Sequence, residues 1–282
     1  MRILVLGKTG MLGHVVYNHF LEKGYEVYGT SSKEDIIFDA NNMETIKDII
    51  TDIKPDIIIN CIGILNKMAE DNHVLALKLN GLLPHYLDEL SKTYNFKLVH
   101  VSTDCVFEGT TGKYDEKSTP DAKSFYGRSK AIGEINNDRN LTLRTSIIGP
   151  DNNKNGIGLF QWFITQQNEV FGYNKVIWTG VTTIELAKCI EKAIEENLTG
   201  LHHVVNNDFI PKKELLELFK KHFNKEINIK DNNEVVSNKT LIASESYNFN
   251  VPTYEQMIID MRLWVLNHKE IYPIIMNNCD LK

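Results

Sequence analysis

The chain has 282 residues, 31 Lys and Arg against 37 Asp and Glu, and a formal net charge of −6 at pH 7, which fits one large domain or a main domain with a smaller appendage. The mildly acidic balance gives no reason to expect nucleic acid as a partner, and no apolar run approaches the roughly 18 residues of a membrane span. Four scattered cysteines without paired spacing predict reduced thiols, no metal site and a cytoplasmic location.

From the N-terminus, short apolar runs alternate with segments of helical period. The predicted strands are 3–6, 26–29, 36–38, 56–60, 97–102 and 141–148. The predicted helices are 11–21, 43–53, a long 71–94 kinked at Pro84, and one that opens near Phe125. Fully apolar strands that alternate with helices are typical of a parallel sheet covered on both faces. The sequence therefore predicts an α/β fold, a Rossmann-type doubly wound sheet.

After Gly149 the pattern changes, and we expect a smaller α+β C-terminal lobe that binds the substrate. The predicted elements there are helices 159–167, 183–196, 212–223 and 254–267 and a strand 201–205. Residues 1–149 are expected to form a dinucleotide-binding domain to which about 174–198 return. About 150–173 and 199–282 are expected to form the substrate-binding lobe.

A glycine-rich turn, GKTGMLG, directly follows the first strand and opens the first helix. Gly7, Gly10 and Gly13 allow a sharp turn and let a diphosphate approach the helix N-terminus without side-chain clash. This context of strand, turn and helix predicts dinucleotide binding. Lys8, inside the turn, is either a phosphate contact or a solvated side chain.

The residues after the second strand indicate which dinucleotide binds. An acidic residue there hydrogen-bonds a ribose hydroxyl and repels a 2′-phosphate. Here Ser31, Ser32 and Lys33 precede any acid, which favours NADPH. Glu34 and Asp35 follow immediately and keep NADH open as the alternative.

The segments VSTDCVFEG and YGRSK carry the catalytic chemistry. Tyr126 and Lys130 are four residues apart, so they project from one face of a helix. A nearby ammonium is expected to lower the phenol pKa toward the range where proton transfer is efficient. Thr103, at the carboxyl end of the preceding strand, can orient a substrate carbonyl beside Tyr126. We therefore predict Thr103, Tyr126 and Lys130 as the catalytic group.

Together with IINCIG, KLNG, LRTSIIG and GVTT, these motifs resemble the extended short-chain dehydrogenase/reductases over nearly the whole chain. More narrowly, STDCVFEG followed by YGRSKAIGE is similar to the dTDP-4-dehydrorhamnose reductase family of sugar-nucleotide reductases. The chain departs from that family at Cys61-Ile62-Gly63, at DAKSF before YGRSK, and at WTGVTT. A relative acting on another 4-keto-6-deoxy sugar, with a uridine or guanosine carrier, is an equal expectation.

The resemblance completes the predicted site. The cofactor-binding residues are Gly7, Thr9, Gly10, Met11, Leu12, Gly13, Ser31, Ser32, Lys33, Asp39, Cys61, Ile62, Gly63, Asn80, Tyr126 and Lys130. The substrate-binding residues are Thr103, Asp104, Val106, Phe107, Arg144, Thr145 and Ser146. The implied activity is NADPH-dependent reduction of a nucleotide-linked 4-keto-6-deoxy sugar, in deoxysugar biosynthesis for a surface polysaccharide. A homodimer is a possible assembly.

Three alternatives stay open. A sugar-nucleotide epimerase would recycle bound NAD, and a dehydratase would carry Asp-Glu after the Ser-Thr, where this chain has Asp104-Cys105. A non-catalytic, NADP-binding regulatory subunit is the third, because one relative of the family partners methionine adenosyltransferase.

Several other residues have a simple structural interpretation. His202 and His203 are neighbours on a strand and point to opposite faces, which disfavours a metal pair. Trp162, Phe163 and Trp178 are expected in the core rather than in a sugar pocket. Cys105 is expected to be a structural thiol, and the pairs 212–213 and 220–221 a solvated helix face.

Overall fold

The computed structural model describes residues 1–33, 36–153 and 156–281. The strands are β1 (Arg2–Leu6), β2 (Glu26–Ser31), β3 (Ile36–Ile37), β4 (Ile57–Asn60), β5 (Lys97–Thr103), β6 (Leu141–Thr145), β7 (Ile147–Ile148), β8 (Glu169–Trp178), β9 (Val181–Thr182), β10 (Gly200–His203), β11 (Ile210–Pro211) and β12 (Asn228–Asn238). The α-helices are α1 (Gly13–Glu22), α2 (Ile46–Ile53), α3 (Asn66–Asp71), α4 (His73–Ala76), α5 (Leu83–Tyr94), α6 (Phe125–Ile132), α7 (Leu159–Thr165), α8 (Thr183–Glu195), α9 (Lys212–His222), α10 (Tyr254–Asn267) and α11 (Pro273–Asn278).

The main sheet has seven parallel strands in the order β10-β6-β5-β4-β1-β2-β3. Strand β1 pairs with β2 on one side and β4 on the other, so the order of connections reverses there. In doubly wound sheets a ligand crevice lies outside the carboxyl ends of the strands at such a switch point. The predicted Rossmann-type fold is confirmed.

Strand β1 shows how the sequence builds the layers. Ile3 and Val5 are fully buried in the cluster that contains α1 and α8. Leu4 and Leu6 are equally buried in the second cluster, which contains α2 and α5. Because successive side chains point to opposite faces, the apolar run from Ile3 to Leu6 requires helices on both sides of the sheet.

A second, three-stranded sheet in the order β11-β8-β12 forms the smaller lobe. Its core is continuous with one face of the main sheet, since Phe219 and Met261 belong to the same cluster as Ile3. Two segments lie elsewhere than predicted. Gly200–His203, expected in the lobe, pairs with β6 in the main sheet, and 174–178, expected to return to the main domain, belong to the lobe strand β8.

Two further elements differ from the prediction because tertiary contacts override the local pattern. The expected helix 71–94 begins at His73 and passes through a π-helical stretch, Leu77–Leu82, before Pro84 in the first turn of α5. The expected strand 141–148 breaks at Ser146, where β6 leaves the main sheet and β7 pairs with β9.

Candidate active site

The glycine turn that joins β1 to α1 is tightly packed. Gly7 has a φ of +79°, and its carbonyl oxygen accepts a hydrogen bond from the Gly10 N–H at 3.0 Å. A Cβ added at Gly13 would lie 2.0 Å from that same oxygen, so no side chain fits there. This compact turn at a helix N-terminus fits the diphosphate of a dinucleotide.

The end of β2 offers hydroxyl and ammonium groups. The Ser31 hydroxyl accepts a hydrogen bond from the Lys33 N–H at 3.2 Å, and Ser32 and Lys33 are exposed. Asp39 is exposed and accepts hydrogen bonds from the backbone and side-chain nitrogens of Asn41. Glu34 and Asp35, which keep NADH open, lie outside the described residues. The Lys8 ammonium lies over the Tyr17 ring, 5.3 Å from its centroid.

A cleft of about 570 Å³ lies at the carboxyl edge of the main sheet. It brings together sixteen residues of the predicted site and its surroundings: Gly10, Met11, Leu12, Asn60, Cys61, Ile62, Gly63, Val101, Ser102, Thr103, Asp104, Cys105, Tyr126, Lys130, Thr145 and Ser146. The glycine turn and the predicted catalytic group therefore face one cavity, as a hydride transfer requires.

Thr103 and Tyr126 are both buried at the bottom of this cleft. Burial raises the pKa of Tyr126, with the Cys105 and Asp104 charges adding to the rise and a hydrogen bond from Thr103 opposing it. The net change is opposite to the lowering expected from Lys130, because desolvation of the phenolate outweighs it. Tyr126 is thus held in its neutral, proton-carrying form.

Lys130 is buried on the same helix. Its Nζ donates a hydrogen bond to the Val101 carbonyl at 2.7 Å. Burial lowers its pKa to about 8, and the charges of Glu134 and Cys61 oppose that fall. The amine therefore stands close to half ionisation at mildly alkaline pH.

His100, which the sequence analysis did not identify, lies behind Lys130. The Ile62 N–H donates to Asn60 Oδ1, so the Asn60 amide nitrogen donates to His100 Nδ1 at 3.2 Å. Burial lowers the pKa of His100 well below its ordinary value, and the neutral ring then carries its proton on Nε2, 3.4 Å from Lys130 Nζ. A donor in that position disfavours the ammonium form of Lys130.

The N-terminus of α6 is held by two oxygen acceptors. The Ser124 hydroxyl accepts from the Gly127 N–H, and the Glu70 carboxylate accepts from the Tyr126 N–H, each at 3.1 Å. Glu70 comes from α3, so the segment after β4 fixes the backbone of the predicted proton donor. A capping Ser three residues before a glycine was readable in the sequence, whereas the bond from Glu70 required the fold.

Asn80 is fully buried on the π-helical stretch, and its amide is used within the protein. It donates to the Ile64 carbonyl and the Ser129 hydroxyl and accepts from the Ile64 N–H, each at 3.0 Å. Asn80, predicted as a cofactor contact and as a support of the catalytic group, joins the loop after β4 to α6. It positions both walls of the cleft.

Three predicted substrate-binding residues lie in the core, outside the cleft lining. Val106 and Phe107 are fully buried, and Phe107 stacks on Tyr114 with ring centroids 4.1 Å apart. Arg144 forms a buried pair with Glu134 at 2.6 Å and lies over the Phe107 ring. Because its guanidinium is already paired, Arg144 stabilises the strand end rather than reaching into the cleft.

Several cleft residues were missed or assigned elsewhere, and four of them carry polar or aromatic side chains of interest. Lys212, expected on a solvated face, and Trp162 and Trp178, expected in the core, line the cleft together with Asp151. Phe163 is core as predicted. Asp104 also lines the cleft; burial raises its pKa, and Lys239 and Lys212 oppose that rise. Lys212 therefore brings positive charge to the cavity.

The remaining chemistry-bearing residues have structural partners. Burial raises the pKa of the Cys105 thiol to about 12, which agrees with a structural role. His203 lies beside Arg144, with its Nε2 3.0 Å from the guanidinium, and His202 contacts Ser244. Across the described ranges, no group of three His, Cys, Asp or Glu could hold a metal ion, and no helix is long and apolar enough to cross a membrane.

Comparison with known proteins identifies the family. The family model described as the RmlD substrate binding domain matches residues 1–241. The chain belongs to this family. The prediction of an extended short-chain dehydrogenase/reductase of the dTDP-4-dehydrorhamnose reductase type is confirmed.

Individual relatives match over shorter stretches. Methionine adenosyltransferase 2 subunit beta of Xenopus laevis is 33% identical over 159 residues, covering 53% of this chain and 48% of that protein. The dTDP-4-dehydrorhamnose reductase of Aggregatibacter actinomycetemcomitans is 34% identical over 152 residues, 51% of each chain. The match thus spans about half the length of both curated relatives.

The fold is shared over almost the full length. The crystal structure of dTDP-4-dehydrorhamnose reductase from Bacillus anthracis in complex with NADP superposes with a TM-score of 0.80 and 23% identity. The alignment covers 93% of this chain and 99% of that one. At this identity the likeness concerns the fold.

Proposed function

We propose that this protein is an oxidoreductase that reduces the ketone of a nucleotide-linked 4-keto-6-deoxy sugar with NADPH. The observation that carries the proposal is one cleft lined by Thr103, Tyr126 and Lys130 together with the glycine turn at Gly10. Membership of the RmlD family and the named reductase relative support the substrate class. A role in making a deoxysugar for a surface polysaccharide extends the same proposal.

Each residue of the proposed site has a separate role in ketone reduction. The dinucleotide would supply the hydride, held by the turn from Gly7 to Gly13 and by Lys130. Tyr126, neutral because of burial, donates its proton to the oxygen that develops negative charge. The Thr103 hydroxyl, which lines the same cleft as Tyr126, orients the substrate carbonyl. Lys130 as an ammonium stabilises the phenolate left behind.

NADPH is proposed over NADH because of the exposed groups after β2. Ser32 and Lys33 offer a hydroxyl and an ammonium where a 2′-phosphate would lie. Titration with both dinucleotides tests this choice. Tighter binding of NADH, or a Lys33→Ala variant with unchanged preference, contradicts it.

The activity is tested by following NADPH absorbance with a panel of 4-keto-6-deoxy sugars on thymidine, uridine and guanosine diphosphate carriers. Oxidation of NADPH in proportion to the product alcohol is the expected result. Interconversion of sugars without net NADPH consumption would instead identify an epimerase. The panel also names the carrier, because each one is compared with the same sugar.

A second candidate is a non-catalytic, dinucleotide-binding regulatory subunit, favoured by the likeness to methionine adenosyltransferase 2 subunit beta. Co-purification with a methionine adenosyltransferase and no turnover on any keto sugar would favour this candidate. The complete Thr103, Tyr126 and Lys130 group supports an enzyme. Either form is compatible with a homodimer, which analytical ultracentrifugation tests.

A further inference from the structure

A chain of buried hydrogen bonds runs from the end of the lobe to the glycine turn. The Trp264 indole nitrogen contacts the Tyr272 hydroxyl at 2.8 Å, and that hydroxyl contacts His14 Nε2 at 2.8 Å. His14 Nδ1 in turn lies 2.9 Å from the Gly10 carbonyl oxygen, which also accepts the His14 backbone N–H at 3.0 Å. All three side chains are less than a tenth exposed.

The direction of every bond in this chain is fixed by chemistry. An indole N–H can only donate, so the Tyr272 oxygen accepts from Trp264. The single tyrosine proton is then donated to His14 Nε2, which must accept. A carbonyl oxygen only accepts, so the His14 proton lies on Nδ1 and is donated to Gly10. Burial lowers the pKa of His14, which keeps the ring in this neutral form.

A second contact fixes the same helix pair. His268 Nδ1 lies 2.9 Å from the Trp264 carbonyl oxygen, and its Nε2 bonds the carboxylate of Glu22 at the end of α1. The C-terminal segment is therefore tied to both ends of α1, through His14 at its start and Glu22 at its end.

The hydrogen bond from His14 to the Gly10 carbonyl oxygen orients the Gly10–Met11 peptide unit, which lies at the cleft. Gly10 and Met11 both line the cleft. The unit that joins them is planar and trans, so fixing the Gly10 carbonyl toward His14 directs the Met11 N–H the opposite way. The carbonyl oxygen, which would repel a phosphate, faces His14 and accepts both its backbone N–H and its ring Nδ1–H. The turn then presents N–H groups to an anion.

We infer that Tyr272 and Trp264 are positioning residues for the dinucleotide and set the Gly10–Met11 peptide through His14. This inference rests on the proposed dinucleotide binding and assigns to the C-terminal segment a part in it. The segment lies far along the chain from the turn it controls, at the end of the substrate lobe. Loss of the Tyr272 hydroxyl should therefore weaken binding of the dinucleotide.

The test is the Kd for NADPH, measured by calorimetry on wild type and Tyr272→Phe. Tyr272→Phe should weaken binding about tenfold, the effect of one lost hydrogen bond. Tyr254→Phe is the matched control, since Tyr254 is also buried and its hydroxyl hydrogen-bonds the backbone carbonyls of Trp178 and Asp208. It should bind NADPH within about twofold of wild type. An unchanged Kd in Tyr272→Phe, or an equal loss in Tyr254→Phe, overturns the inference.

A double-mutant cycle separates positioning from general loosening. On a His14→Phe background, Tyr272→Phe should cause no further loss of NADPH affinity, because the chain of hydrogen bonds to Gly10 is already broken. The same tenfold loss on both backgrounds would show that Tyr272 acts independently and would overturn the inference. Should Tyr272→Phe not fold, Trp264→Phe replaces it, with an expected two- to five-fold weakening. A wild type that binds neither NADPH nor NADH would instead overturn the proposed function as well.

Discussion

At the scale of single residues, burial pushes the two central titratable groups toward their neutral forms. The pKa of Tyr126 is raised and that of Lys130 is lowered to about 8, each chiefly by desolvation. A neutral tyrosine is the form that a proton donor needs, whereas an ammonium is the form that stabilises the phenolate. Lys130 therefore sets the upper pH limit of the proposed reaction.

We expect kcat/KM to fall as pH rises through about 8, because the Lys130 ammonium is lost. Stability should change in the opposite direction. The folded pKa of Lys130 lies below its unfolded value, so the folded state is penalised by the buried ammonium, and that penalty is relieved as pH rises above about 8. Rate profiles and urea unfolding between about pH 7 and pH 9.5 check both trends, with Lys130→Met as the reference for stability. A flat rate profile over that range contradicts this role of Lys130.

At the scale of elements, α6 depends on bonds from other segments. It has only 8 residues, and a helix this short has little stability of its own in water. Glu70 from α3 holds its first turn, and Asn80 from the π-helical stretch holds Ser129. These contacts set the geometry of Tyr126, so their loss should affect turnover more than folding.

Glu70→Ala should lower kcat several-fold and stability by about 1 kcal/mol, because the Tyr126 N–H loses its acceptor. Glu70→Gln keeps a side-chain oxygen and should retain most of the turnover. Steady-state kinetics and thermal melts compare the two. If both variants matched wild type in kcat, the hydrogen bond that Glu70 accepts from the Tyr126 N–H would have no role in turnover.

The same elements show what the sequence can and cannot predict. Local signals include apolar runs such as Ile57–Ile59, the glycine turn and the spacing of Tyr126 and Lys130, so the sheet and the catalytic group could be predicted. The partner of Arg144, the place of β10 and the raised pKa of Tyr126 depend on residues brought together only by the fold. Arg144 lies beside the carboxyl end of β6, at the sheet edge where doubly wound folds bind ligands, but its guanidinium is already paired with Glu134.

At the scale of the whole molecule, a buried polar network joins the sheet to the lobe. Arg144 pairs with Glu134, which also accepts from the Ser102 hydroxyl at 2.6 Å. His203 accepts from Arg144 and donates to the Ile242 carbonyl of the lobe at 2.8 Å. Ser102 lines the cleft, so this network reaches the cleft wall at that residue.

Arg144→Met should destabilise the protein by roughly 3–5 kcal/mol, because Glu134 is left buried without its partner. The double variant Glu134→Gln with Arg144→Met should recover a large part of that loss, since no unpaired charge remains. Urea unfolding at neutral pH gives both values. A double variant no more stable than Arg144→Met would mean that the pair itself, rather than the orphaned charge, determines the stability.

The central claim, that Tyr126 donates the proton in an NADPH-dependent ketone reduction, is tested most directly by Tyr126→Phe. The variant is assayed on the best keto sugar nucleotide of the panel, and its Kd for NADPH is measured alongside. Turnover should fall by about 10²–10⁴-fold while NADPH binding stays within a few-fold of wild type. Unchanged turnover in Tyr126→Phe would contradict the account.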